Sequence, residues 1–245
     1  MKTILKKITL IAIVFLAFSC SNDDINEVEE KAAFKMVFET TVASDVITIP
    51  TNSTSGVYDY SVDWGDGKTN DNVTGNIAHT YSESGTFTVA ITGDFPAIYF
   101  NNAGTDLNKL KEVSQWGNIQ WQSMNGAFRF CKQLNITATD TPDLSQVTDM
   151  SYMFDNNYAL TASLNNWDVS NVTKMAYLFA GATHFNQPLN LWDVSKVTDM
   201  NQMFLQASNF SQDLSGWNTV NVTICYDFNR LSSLTSVQLP TLGCF

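Results

Sequence analysis

Trp167-Asp168-Val169-Ser170-Asn171-Val172-Thr173-Lys174-Met175 returns 25 residues later as Trp192-Asp193-Val194-Ser195-Lys196-Val197-Thr198-Asp199-Met200. A third copy, Trp217-Asn218-Thr219-Val220-Asn221-Val222-Thr223, follows at the same step. Upstream, Pro142-Asp143-Leu144-Ser145-Gln146-Val147-Thr148-Asp149-Met150 is the same unit with proline in place of tryptophan, and Trp116 to Phe128 is a degenerate first copy. A fixed period of this length marks a stack of coils, because each unit can bury its apolar face only against the next.

Equivalent apolar positions then become ladders through a shared core. One ladder is Trp116, Pro142, Trp167, Trp192 and Trp217. Another is Met124, Met150, Met175, Met200 and Cys225, and a third is Phe128, Phe154, Phe179 and Phe204. Within a unit, the V-x-x-V-x-x-M stretch and the Met/Leu-Phe pair after it predict an extended segment leading into a short helical turn. With rungs about 4.8 Å apart, five coils make a rod only about 24 Å long, which needs a cap at each end. Phe95 to Leu110, with Val113, is expected to form the first cap. At the other end Leu242 falls on the Trp ladder, so the chain stops as a sixth coil begins. Either that remnant is the second cap or the gene is truncated.

Ahead of the repeats the pattern changes to short β-rich runs. Phe34 to Phe38, Val46 to Ile49, Tyr58 to Trp64 and Gly85 to Ile91 read as strands separated by turns, the signature of a small antiparallel sandwich. Gly65-Asp66-Gly67 reads as a tight turn, since Asp-Gly supplies the positive φ angles such a turn needs. Asp63 and Asp66, with Asn70 and Asp71 nearby, do not match the spacing of a calcium loop and are read as turn formers. His79 is read as a hydrogen-bonding group within the sandwich, not as an acid or base.

These residues also carry two resemblances. Val62-Asp63-Trp64-Gly65-Asp66-Gly67, then His79-Thr80-Tyr81, then Gly85-Thr86-Phe87-Thr88-Val89, resemble a PKD domain, which implies an immunoglobulin-like sandwich used as a surface spacer. The units W-D-V-S-x-V-T-x-M-x-x-M-F resemble the repeats of BspA-type leucine-rich-repeat surface proteins of Bacteroidetes, also found in Mycoplasma lipoproteins. That family implies adhesion or capture of host or matrix proteins by an open solenoid face, and no catalytic residues. The expected fold is therefore β-rich and two-module: a PKD-like β-sandwich over residues 34–95, then a leucine-rich-repeat solenoid of β-rung plus helical turn over 96–245.

The first residues read as a targeting segment. Lys2, Lys6 and Lys7 precede an apolar run from Ile8 to Phe18, shorter than the roughly 20 residues that span a bilayer. Leu16-Ala17-Phe18-Ser19-Cys20 resembles a lipobox, so residues 1–19 are expected to be a lipoprotein signal peptide and Cys20 the lipidated anchor. Residues 20–33 are acidic and poorly hydrophobic, a solvated tether. Ser21-Asn22-Asp23-Asp24 after the lipidated cysteine resembles the surface-export signal of Bacteroidetes lipoproteins. The expected location is the outer membrane, lipid-anchored and facing the cell exterior.

Three of the 13 basic residues and none of the 24 acidic ones lie in that leader, so the mature chain carries a net charge of −14. A chain this acidic does not seek nucleic acid, which is bound through cationic contacts. The cysteines left after Cys20 are Cys131, Cys225 and Cys244; Cys225 with Cys244 is the favoured disulfide, and the odd count leaves at least one unpaired or paired in trans. None lies in a CxxC or Cys/His cluster, so neither a metal nor a cofactor is expected. The two histidines, His79 and His184, lie in different modules, and no H-E-x-x-H, P-loop, G-x-S-x-G or G-x-G-x-x-G pattern occurs. Acids abound, but Asp149, Asp168, Asp193 and Asp199 recur at ladder positions, as solvated loops or rung-to-rung contacts do. Asp149, Lys174 and Asp199 fall at one ladder position and would place opposite charges side by side.

No catalytic residues are assigned; the chain reads as a binder. Two ligand classes fit: an extracellular protein captured by the solenoid, or, as the alternative, a polysaccharide taken up by an outer-membrane system, with Tyr152, Tyr158 and Tyr177 as exposed aromatic candidates.

Overall fold

Alternate residues of Phe34–Thr40 point to opposite faces, and Phe34, Met36 and Phe38 on one of them are fully buried. This strand, β1, is followed by β2 (Val46–Ile49), β3 (Asp59–Asp63), β4 (Thr69–Val73), β5 (Ile77–Thr80), β6 (Gly85–Asp94), β7 (Leu110–Gln115) and β8 (Asn135–Ile136). The protein is described by a computed structural model covering residues 32–101 and 107–245. Residues 1–31, which hold the expected signal segment, the expected lipidation site Cys20 and most of the expected tether, lie outside the described residues. A six-stranded sheet runs β4-β3-β6-β1-β7-β8, and β2 pairs with β5 in a separate two-stranded sheet. All the pairs are antiparallel except β7 with β8, which run parallel.

Two features of this sheet replace the expected sandwich followed by a separate solenoid. The free edge of β1 is taken by β7, so the sheet continues past residue 95 into the segment read as a cap. Through β8 it then continues into the first coil. One hydrophobic core runs from Phe34 to Leu234, with Phe34 stacked on Trp116 at 5.7 Å.

The β-rich expectation holds, but the leucine-rich-repeat solenoid does not. Among the described residues the repeats contain no α-helix; the last coil has one 3-10 turn, Ser236–Gln238. The cause is visible in the backbone of the M-x-x-M-F stretch. Tyr152, Tyr177, Gln202 and Asp227 all have φ between 51° and 62°, and so do Asn156, Gln206 and Leu231 four residues on, at 58° to 61°. A left-handed residue at every fourth position cannot continue a right-handed helix. Alternate N–H groups instead reach the next coil: Met150 to Lys174 O at 2.9 Å, Tyr152 to Ala176 O at 2.9 Å, Phe154 to Leu178 O at 3.0 Å. Between them, Met153 and Asp155 close turns three residues back, to Met150 O and Tyr152 O at 3.2 Å each, and the Ser151 N–H donates to Asp149 Oδ1 at 2.8 Å. Every donor of the stretch is thereby satisfied without a helix.

The side chains follow the ladders. Phe128, Phe154, Phe179 and Phe204 stack at centroid spacings of 6.0, 5.9 and 5.5 Å. Trp192 and Trp217 are parallel at 6.5 Å, and their indole N–H groups donate to Leu164 O at 2.8 Å and Leu189 O at 3.0 Å. Where Pro142 interrupts the ladder, Trp116 and Trp167 meet edge to face at 5.3 Å. At each corner an aspartate caps its own turn, Asp143 to the Ser145 N–H, Asp168 to Ser170 and Asp193 to Ser195, each at 3.0 Å. Hydrogen bonds from these serines hold the Asp168 and Asp193 carboxyls below the usual carboxylate pKa.

The Trp64 to Asp66 turn closes against β5. Trp64 is fully buried and stacks on His79 at 4.9 Å, and the Tyr81 hydroxyl donates to Trp64 O at 2.8 Å. His79 Nε2 meets Asp66 Oδ2 at 2.8 Å, which gives the histidine a structural partner. Asp63 and Asp66 accept the Gly65 and Lys68 N–H groups at 2.9 and 3.1 Å, the turn role read from their spacing. Burial raises the Asp66 pKa, but hydrogen bonds from His79 and Lys68 outweigh it and leave the carboxyl below its ordinary value.

Gly65, at φ 76°, lies so close to the neighbouring strand that a Cβ would sit 2.5 Å from Thr88 O. We expect Gly65→Ala to cost about 2 kcal/mol from backbone strain and this clash together. Gly67, at φ 85° with nothing within 4 Å, should lose only about 1 kcal/mol on the same change. Urea titrations of the two variants check the difference; equal losses would discard the close approach as the cause.

Candidate ligand-binding face

Left-handed backbone at Tyr152 and Tyr177 sets these two rings on adjacent coils at the same position, where they stack at 4.7 Å with planes 13° apart. From the coil before, the Arg129 guanidinium lies 4.3 Å from the Tyr152 centroid and 4.7 Å from that of Phe130. Arg129 Nε donates to Asp155 Oδ2 at 2.7 Å, and its Nη1 to Asn101 Oδ1 at 2.9 Å. Asn156 Nδ2 donates to the other oxygen of Asp155 at 2.6 Å, and the Tyr158 hydroxyl donates to Asn156 Oδ1 at 3.3 Å. Lys132 completes the line 5.7 Å from the Tyr158 ring.

The three tyrosines read from the sequence thus meet in one cluster, Tyr158 through a hydrogen bond, Tyr152 through Arg129 and Tyr177 through its stack on Tyr152. Asp155 is its buried centre, only 4 % exposed. Burial raises its carboxyl pKa despite the hydrogen bond and charge of Arg129. The Tyr152 hydroxyl is likewise pushed up, by burial first and then by the neighbouring Tyr177. Beside the network is a shallow hollow of about 220 Å³ lined by Arg129, Asp155, Asn156, Tyr177 and Gln206.

The row Asp149, Lys174, Asp199 is in register through parallel bridges, but among the described residues no ion pair joins Lys174 to either acid. The carboxylates turn to their own backbone instead, Asp149 accepting the Ser151 N–H at 2.8 Å and Asp199 the Asn201 N–H at 2.9 Å. Lys174 is exposed.

Cys225 and Cys244 are bonded to each other, 19 residues apart, and Cys131 is a buried free thiol whose pKa burial pushes well up. A thiol in that state is a poor nucleophile. Cys20 lies outside the described residues. No helix among the described residues is long and apolar enough to cross a membrane.

Sequence reasoning missed Arg129, Asp155 and Asn101 as members of the face. The signal was departure from the repeat: where the second copy has Asp155, the next two have Ala180 and Leu205. Arg129 follows the degenerate first copy, where no periodic expectation exists.

Residues 122–237 match the model of a family described as a Mycoplasma protein of unknown function, DUF285. The Mycoplasma-type repeat resemblance is supported over these residues; the match covers none of residues 34–95, and the description assigns no function. No curated protein and no solved structure matches the chain.

Proposed function

We propose that the protein is a non-enzymatic surface lipoprotein, anchored through Cys20 to the outer membrane, whose stacked coils capture an extracellular protein ligand. The observation that carries this reading is the Arg129–Tyr152–Tyr177 face. Tyrosine and arginine are enriched among the few residues that dominate binding at protein interfaces, through large rigid rings and a planar multiple donor. Here both are preorganised, the arginine by Asp155 and Asn101 and the rings by each other. The hollow beside them is shallow, which suits a protein surface better than an enclosed small molecule.

The alternative, polysaccharide capture on these tyrosines, fares worse. A sugar ring stacks on an open aromatic face, and Tyr152 has Arg129 from one side and Tyr177 from the other. Only Tyr158, 38 % exposed, offers much free surface.

The test uses the mature chain with Cys20→Ser, so that it is soluble, passed over immobilised fibronectin, laminin and fibrinogen with serum albumin as control. Capture of at least one matrix protein is expected, weakened tenfold or more, about 1.4 kcal/mol, by Tyr177→Ala. Arg129→Lys, which keeps a cation beside Asp155 but loses the planar fork, should weaken it less. Capture of none, or affinity unchanged in Tyr177→Ala, would discard the reading. In cells, Cys20→Ser should move the protein from the membrane fraction to the soluble one.

A further inference from the structure

A second feature lies where the β2–β3 loop meets the first two coils. An open cleft of about 780 Å³ is bounded by that loop, by Tyr99 and by residues of coils one and two. Its size is within the roughly 300–1,000 Å³ of ordinary ligand sites. Its wall is mostly polar, however, and contains no lysine, arginine or histidine.

The hydrogen-bonding capacity of this wall is largely unspent. Among the described residues, no intramolecular hydrogen bond uses the Gln122 amide, the Ser55 hydroxyl or the Thr148 hydroxyl. Ser123 Oγ accepts the Asn125 N–H at 3.2 Å, and the Tyr99 oxygen accepts from Asn101 Nδ2, so each keeps its own proton to donate. Asp149 accepts from Ser151 N–H and Asn125 Nδ2, one bond on each oxygen, and has a lone pair left on both. The cleft therefore presents amide, hydroxyl and carboxylate groups from three chain segments, donors and acceptors mixed, with one aromatic ring, Tyr99.

Its construction depends on a close approach. Gly56, at φ 128°, brings the loop so near that a Cβ there would lie 3.0 Å from Gln122 Oε1 and 3.2 Å from Pro96 Cγ. A larger residue would push the loop from the coils and widen the cleft.

Mixed donors and acceptors with no cation exclude an anionic ligand, which Asp149 would repel. A single carboxylate is too little for a hard cation, since calcium takes six to eight oxygen ligands, several of them carboxylate. A neutral polyol fits, because each hydroxyl both donates and accepts. We infer that this cleft is a binding site for a neutral saccharide, with Gln122, Thr148, Ser55 and Asp149 as hydrogen-bonding partners and Tyr99 as the ring. The site is separate from the Arg129–Tyr177 face and does not rest on protein capture there.

The experiment is saturation-transfer NMR followed by calorimetry on the mature Cys20→Ser chain. The probes are maltotriose, cellotriose, xylotriose, mannotriose and N,N′,N″-triacetylchitotriose, with trigalacturonic acid as the anionic comparison. At least one neutral trisaccharide should bind at millimolar concentration or below, and the anionic one should not. Gln122→Ala combined with Thr148→Val should weaken binding at least tenfold. Both side chains are exposed, so the core is untouched, and circular dichroism checks the fold. Gly56→Ala should also weaken binding, and Tyr177→Ala should leave it unchanged. Binding of no neutral probe, a preference for the anionic one, or full binding by the Gln122/Thr148 variant would overturn the inference. Loss of saccharide in Tyr177→Ala with retention in the cleft variant would overturn it too, by moving the site to the tyrosine face.

Discussion

Phe179→Ala is expected to destabilise the protein by about 4 kcal/mol, the range measured when a large aromatic is removed from a packed core. Phe179 is fully buried and touches four other rings: Phe154 at 5.9 Å, Phe185 at 4.3 Å, Trp192 at 6.0 Å and Phe204 at 5.5 Å. These rings belong to three coils, so the void cannot be closed by shifting one of them. Each coil is also tied to the next by the N–H groups of this same stretch, Tyr177 to Asn201 O at 2.8 Å and Phe179 to Met203 O at 2.9 Å. In a stack where each unit is stabilised only by its neighbours, damage at the middle coil uncouples both sides. Equilibrium urea unfolding gives the loss, with Tyr226→Ala as the comparison: that ring is 72 % exposed and should change stability by no more than about 0.5 kcal/mol. A loss below about 1.5 kcal/mol for Phe179→Ala would mean that the coils collapse into the void after all.

Replacing Cys225 and Cys244 together by alanine is expected to cost about 3 kcal/mol under oxidising conditions and little in the presence of a reductant. The figure follows from loop closure: a cross-link spanning 19 residues removes unfolded-state freedom on the scale of about 3 kcal/mol. The bond ties the tail to the last coil, where the Phe245 ring meets Phe228 edge on at 4.7 Å and Thr219 Oγ1 donates to Leu242 O at 2.6 Å. The effect should therefore concentrate in the last coil. Hydrogen exchange reads it there, at the Thr223 and Ile224 amides, which bond to Thr198 O at 3.0 and 3.2 Å. Unchanged protection of these amides without the disulfide would show that packing alone holds the last coil.

The two interfaces differ in how far they could be read in advance. Tyr152 and Tyr177 stand out because they repeat at the 25-residue step on a unit that is otherwise apolar or turn-forming. Their partner Arg129 lies in a segment too degenerate to align, and nothing local announces that Asn101, far upstream, holds it. The polar cleft was not legible at all. Gln122 and Thr148 look like ordinary surface residues, and only the approach of Gly56 across the fold makes a site of them.

The repeat, its 25-residue step and its buried positions are legible in the chain alone, since a residue facing its own copy must be compatible with itself. So are the turn roles of Asp63 and Asp66, whose partners are two residues away. The backbone path was decided by the tertiary structure. The methionines and phenylalanines recur at three and four residues, as in a helix. The N–H groups of Met150, Tyr152 and Phe154 bond 24 residues onward instead, to Lys174, Ala176 and Leu178. The edge of β1 filled by β7, and Arg129 seated on Asp155, have the same origin. Burial is a property that a side chain carries with it, whereas a hydrogen bond needs a partner, and here the partners lie one coil away.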